Sequence, residues 1–144
     1  MNNIDFKTLL FSYTGRINRA QYWTAVVVYI AAMVVLGIIS YVIGMGMLML
    51  LLAVIVYIPL IVSGVMVGIK RLHDRDKSGW WLLVFYVLPG VLSALGPTIG
   101  ANLIFSLVSF AVSIWGLVEL GFLRGTAGAN QYGPDPLPAQ PVAA

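Results

Sequence analysis

Two long runs of the chain carry no charge, and a short charged island separates them. No charged residue lies from Ala20 to Ile69, and none from Ser78 to Val118. The apolar positions fall into four stretches, at about 22–43, 47–69, 80–96 and 103–123. A helix needs about 20 residues to cross the hydrocarbon core, and the first two stretches clearly reach that length. Gly44-Met45-Gly46 makes a short turn between them, and Gly96-Pro97-Thr98-Ile99-Gly100-Ala101-Asn102 a second uncharged turn. Pro59 sits inside the second stretch, where neighbouring helices can rescue the carbonyl it frees. Pro89-Gly90 predicts a kinked or partly unwound third stretch. Gly64 and Gly68 form a small-xxx-small pair, and Ser106, Ser109, Ser113 and Gly116 give the fourth stretch one small, weakly polar face. In a bilayer such faces turn toward other helices.

Before the first stretch, Phe6, Leu9, Leu10 and Tyr13 recur at i, i+3, i+4 and i+7, which predicts a short helix ending near Gly15. It either lies at the membrane interface or packs on the protein's own bundle. The fold expected is all-α: a polytopic membrane protein, a bundle of four transmembrane helices with a short N-terminal interfacial helix. Residues 1–136 make one domain, and 137–144 read as a disordered Pro/Ala-rich tail.

Composition agrees with that pattern. The 144-residue chain is 60% hydrophobic and 9% charged, against about 25% charged in soluble domains. A globule of this composition could not cover itself with polar surface, so lipid is its expected solvent. The net charge of +3 does not point to nucleic acid, because the basic residues border apolar spans, where topology and lipid headgroups account for them. There is no cysteine, which removes disulfides, thiolate chemistry and cysteine metal sites. The first apolar run is too long for a cleaved signal peptide.

With four spans, all eight basic residues fall on one side: Lys7, Arg16, Arg19, Lys70, Arg71, Arg75, Lys77 and Arg124. Both turns on the other side are neutral. The positive-inside rule then places both termini and the island in the cytoplasm of a multi-pass protein of the bacterial inner membrane. Arg19, Tyr22 and Trp23 share a helical face and read as an interface anchor, as do Trp80 and Trp81 after a cap at Ser78.

Three polar segments thereby meet at one face, and together they resemble domain-of-unknown-function family 805 (DUF 805). Gly15-Arg16, Arg19 and Tyr22-Trp23 are similar to that family's G-R-x-x-R-x-x-[YF]-W. Arg71-Leu72-His73-Asp74 with Lys77-Ser78-Gly79-Trp80-Trp81 is similar to its R-L-H-D-x-x-x-S-G-W-W, the most specific of the three. Asn130, Tyr132-Gly133 and Asp135-Pro136 are similar to its N-x-[YF]-G-x-D-P. Ala20-Gln21 departs from the acidic residue expected before the aromatic pair. The resemblance implies a bacterial inner-membrane helical protein and implies no reaction.

The candidate cluster is Arg16, Arg19, Trp23, Arg71, His73, Asp74, Ser78, Gly79, Trp80, Glu119, Asn130, Gly133 and Asp135. Its cations either hold an anionic lipid headgroup or phosphate, or only fix topology. Asp74 is expected to brace the island through Arg71 or Arg16, and Glu119 to pair with Arg16, Arg71 or Arg124. Asn130, Gly133 and Asp135 either fold under the bundle or form a turn-rich exit. No catalytic residue, metal site or cofactor is assigned. His73, Asp74 and Ser78 are too crowded in sequence to be read as a triad from spacing alone, and Asp74, Asp76 and Asp135 offer at most a weak oxygen site for Mg²⁺. The leading function is a non-enzymatic module binding a partner protein, a lipid headgroup or a small anion, with a homo-oligomer or membrane-protein partner as further options. The alternatives are a small transporter or channel subunit using Glu119, and an enzyme acting on lipid phosphate.

Overall fold

The computed structural model describes residues 5–137. Most of the expected Pro/Ala-rich tail therefore lies outside the described residues. Five α-helices follow in order: α1 Phe6–Phe11, α2 Arg19–Ile43, α3 Met47–Asp74, α4 Leu88–Thr98 and α5 Asn102–Leu117. No strand occurs among the described residues.

Three helices are long and apolar enough to cross a membrane: α2, α3, and α5 together with the π-helical segment Val118–Phe122 that ends it. The third expected span is shorter. It runs as helix from Trp81, through a π-helical segment Leu83–Val87, into α4. So three helices, rather than four, have spanning length.

Expected boundaries shift for identifiable reasons. Helix α2 starts at Arg19, because Asn18 and Gln21 cap its first turn reciprocally: Gln21 N donates to Asn18 Oδ1 (2.9 Å) and Asn18 N to Gln21 Oε1 (3.0 Å). Helix α3 does not stop at Ile69. Lys70–Asp74 continue it, so the first half of the island is helix. It ends in a Schellman motif, with Lys77 N donating to Leu72 O (2.9 Å) and Asp76 N to His73 O (3.0 Å). Asp76 takes the left-handed position (φ 57°) usually given to glycine. Pro89-Gly90 does not unwind the third stretch. The wider π turn just before it absorbs the proline, with Leu88 N donating to Leu83 O. The second uncharged turn is also shorter than expected. Helix α4 runs through Pro97 to Thr98, and Gly100 (φ 69°) reverses the chain.

Helices α2 and α3 pack as one hairpin and α4 and α5 as another. Ser109 ties the second hairpin by donating to Pro89 O (2.9 Å). Gly116 lets the Phe85 ring approach so closely that an added Cβ would lie 3.1 Å from its Cγ. Ser109 and Gly116 are buried, whereas Ser106 and Ser113 are exposed, so only part of the small face is used. Of the Gly64–Gly68 pair, Gly68 packs on Leu82 and Gly64 faces open space. The hairpins meet each other only near the charged end, through the two π segments and their flanks. Helix α1, capped by Asp5, packs on α3. Leu9 is buried, while Phe6 and Tyr13 of the same stripe are more than half exposed or nearly so (50% and 62%).

Candidate functional site

Helices that end away from water leave carbonyls without partners, and these must be satisfied by side chains. At the charged end of this molecule the basic residues do that. Lys70, 2% exposed, sends its ammonium to Thr8 O (2.7 Å) and Leu9 O (2.6 Å), closing the C-terminus of α1. The charge-free, membrane-length part of α3 stops at Ile69, so Lys70–Asp74 lie beyond it. Lys70 has no ion pair among the described residues. Arg71 is fully buried. It donates from Nε to Leu120 O (2.7 Å), from Nη2 to Leu123 O and from Nη1 to Asp74. It therefore caps the π segment that ends α5, where a cation also meets the favourable end of the helix dipole. Arg19 Nη1 reaches Phe122 O (3.1 Å) and Trp23 Nε1 reaches Gly121 O (3.0 Å). Two of the three residues of the expected interface anchor, Arg19 and Trp23, thus hold the end of the last helix.

Asp74 is the hub. Its carboxylate, 4% exposed, takes Arg71 on one oxygen and Arg16 Nε (3.2 Å) and Nη2 (3.1 Å) on the other. Arg16 also donates to Thr126 O (2.7 Å), Gly128 O (2.7 Å) and Gly133 O (3.3 Å), so its guanidinium is saturated. The backbone of Asp74 receives Thr126 N (2.8 Å). Gly125 lies directly against the carboxylate: an added Cβ would sit 2.0 Å from Asp74 Oδ2. Two buried arginines, one on each oxygen, pin that carboxylate, so it cannot yield. Sequence reading missed Gly125 and Thr126, because their requirement is close approach and not chemistry.

The third motif folds over the island. Asn130 Nδ2 donates to His73 O (2.8 Å), Asn130 and Gly133 exchange backbone bonds at 3.1 Å, and Tyr132 stacks on His73 with ring centroids 3.8 Å apart and planes 3° apart. Asp135 makes no ion pair among the described residues. It accepts Gly128 N (2.9 Å) and Leu137 N (2.9 Å), and these backbone donors hold its carboxyl below the ordinary carboxylate range. Glu119 likewise departs from expectation. Its partners are Arg75 (3.0 Å) and Lys77 (2.8 Å), not Arg16, Arg71 or Arg124. Ser78 accepts Trp80 N at 3.4 Å, Gly79 packs on Ile69, and Trp80 turns outward at 77% exposure. His73, Asp74 and Ser78 make no side-chain bond to one another: the His73 imidazole faces Gly15 O (3.3 Å), and Asp74 is taken by arginines. No group of His, Asp and Glu suited to a metal occurs among the described residues.

The chain is related to known proteins along most of its length. A family model for proteins of unknown function, DUF805, matches residues 10–134. The chain belongs to the DUF805 family. Among its relatives in this family, Uncharacterized protein YiiR of Escherichia coli K12 is 32% identical over 129 residues, covering 88% of this chain and 86% of the relative. Inner membrane protein YhaH of the same organism is 29% identical, covering 86% of both chains. Inner membrane protein YhaI is 30% identical, covering 86% of this chain and 85% of its own. No solved structure matches the DUF805 chain described here.

Proposed function

We propose that this DUF805 chain is a four-span inner-membrane module without enzymatic activity, with both termini and the charged end in the cytoplasm, that binds a phosphate-bearing anion at its membrane surface. The four-span reading is supported by the contact of Asp74, at the end of α3, with Thr126, just past α5. Helix α5 ends at the face where α3 ends, so the segment Trp81–Thr98 between them has to cross in the opposite sense. At 1.5 Å per residue that segment is about 27 Å long, close to the thickness of a bilayer core. The positive-inside rule and the names of YhaH and YhaI support the inner-membrane orientation.

The cavity that carries the binding reading has a volume of about 310 Å³ and lies at the start of α2, beside Arg19, Ala20, Arg124 and Gly125. Arg16 is saturated by protein groups, Arg71 is fully buried, and neither lines the cavity. The Arg124 side chain and the backbone N–H groups of Arg19 and Ala20 have no partner among the described residues, and a helix N-terminus favours an anion. Asp74 and Asp135 also border the cavity; Asp74 is balanced by Arg16 and Arg71, and each oxygen of Asp135 accepts one backbone N–H. Phosphatidylglycerol or a free phosphate would fit the same donors.

The transporter reading has less support, since two cations hold Glu119. The lipid-phosphate enzyme lacks an assembled nucleophile and base. The test is native mass spectrometry of the protein released from nanodiscs containing phosphatidylglycerol. Arg124→Ala is expected to lower retention of that lipid about three- to tenfold, with the melting temperature unchanged. Retention equal to wild type would refute the assignment, and free phosphate competing the lipid away would identify the smaller anion as sufficient.

A further inference from the structure

A second cavity, of about 460 Å³, lies on another flank of the charged end, between the last turns of α3 and the start of the third stretch. It shares no lining residue with the Arg19–Arg124 cavity. Val65 and Ile69 form one wall, and Leu83 and Val87 the other. No charged side chain lines it. Its polar groups are stacked by depth. His73 and Ser78 stand at the rim, and Tyr86 lies five residues into the helix that begins at Trp81, about 7.5 Å further in.

Each polar group has unused bonding capacity with a defined sense. The His73 Nδ1 faces a carbonyl, Gly15 O at 3.3 Å, which can only accept, so Nδ1 carries the proton. In the neutral imidazole Nε2 is then an acceptor. Ser78 Oγ already accepts Trp80 N, which leaves its hydrogen to donate. The Tyr86 hydroxyl has no partner among the described residues, and a hydroxyl at membrane depth needs one.

We propose that this groove binds a single net-neutral phospholipid with a primary-amine headgroup. The ammonium donates to His73 Nε2, the phosphate accepts from Ser78, an ester carbonyl accepts from Tyr86, and one acyl chain lies along Val65, Leu83 and Val87. The uncharged lining selects against a net-anionic headgroup, which would enter without a counter-charge. The acceptor at His73 selects for an amine that still carries N–H, and therefore for ethanolamine over choline. The assignment stands independently of the anion cavity.

The test is native mass spectrometry from nanodiscs holding equal phosphatidylethanolamine, phosphatidylcholine and phosphatidylglycerol. Wild type is expected to retain one phosphatidylethanolamine in preference to phosphatidylcholine by about three- to tenfold. His73→Phe keeps an aromatic ring to stack on Tyr132 and removes the acceptor, so that preference should vanish. Leu83→Trp is placed at a half-exposed position and fills the groove. It should lose phosphatidylethanolamine while keeping phosphatidylglycerol, which separates this site from the Arg124 cavity. Equal retention of ethanolamine and choline lipids by wild type would overturn the proposal. So would ethanolamine retention that survives Leu83→Trp, or phosphatidylglycerol retention lost in Leu83→Trp but kept in Arg124→Ala.

Discussion

The two ends of this molecule are held together by different physics. At the charged end, Arg16, Arg71 and Asp74 are buried, their polar atoms are bonded, and three segments distant in sequence, around Arg16, Arg71–Asp74 and Leu120–Gly133, converge there. No buried side-chain nitrogen or oxygen lacks a partner among the described residues. At the opposite end the two hairpins do not touch, and Gly37, Gly44 and Gly46 have open space where a side chain would go. In lipid, apolar surface gains little by turning from acyl chains to another helix, so association there depends on close packing and polar ties. The ties are concentrated at one end, and so is the fold's specificity.

Disturbing the hub should break this contrast most severely. Asp74→Ala strands two buried arginines and is expected to cost about 3–5 kcal/mol, read as loss of folded protein in detergent or as a large fall in melting temperature. Gly125→Ala should be comparable, because the new Cβ collides with the pinned carboxylate. A Gly125→Ala protein that melts like wild type would contradict the geometry. A smaller effect is expected one layer out. Glu119→Gln keeps shape and hydrogen-bonding atoms but weakens ties to Arg75 and Lys77, whose side chains are 25% and 29% exposed. A loss of about 1 kcal/mol or less follows, measurable as a modest shift in melting temperature. Least of all is expected at the loose end: Gly37→Leu should change stability by less than about 0.5 kcal/mol, and a large loss there would mean that the hairpins do pack along their length.

How much of this was legible in the sequence follows the same division. Charge-free runs located α2, α3 and the helix ending at Phe122, because hydropathy alone governs what lipid will accept. The common face of Arg16, Asp74 and Asn130 followed from parity and from the resemblance to DUF805. Hydropathy misplaced the end of α3, since a helix that leaves the membrane and continues with charges looks like a loop on that measure. Spacing also paired Glu119 with the wrong cation. The chain leaves the helix at Leu123 (ψ 143°), so Arg124 no longer follows the face of Glu119, and the Schellman turn at Asp76 brings Arg75 and Lys77 back instead. The roles of Lys70 and Arg71 as helix caps, and of Gly125 as clearance, depend on which carbonyls and carboxylates come near. That information is three-dimensional.

The central claim is that the charged end is a single cytoplasmic surface and that the segment Trp81–Thr98 crosses the membrane. The chain has no cysteine, so single cysteines placed at Lys77 and at Ile99 can be labelled without background. With a membrane-impermeant maleimide on intact spheroplasts, Ile99→Cys is expected to react at once and Lys77→Cys only after permeabilisation. Labelling of both from the same side, or of Lys77→Cys from outside, would contradict the account.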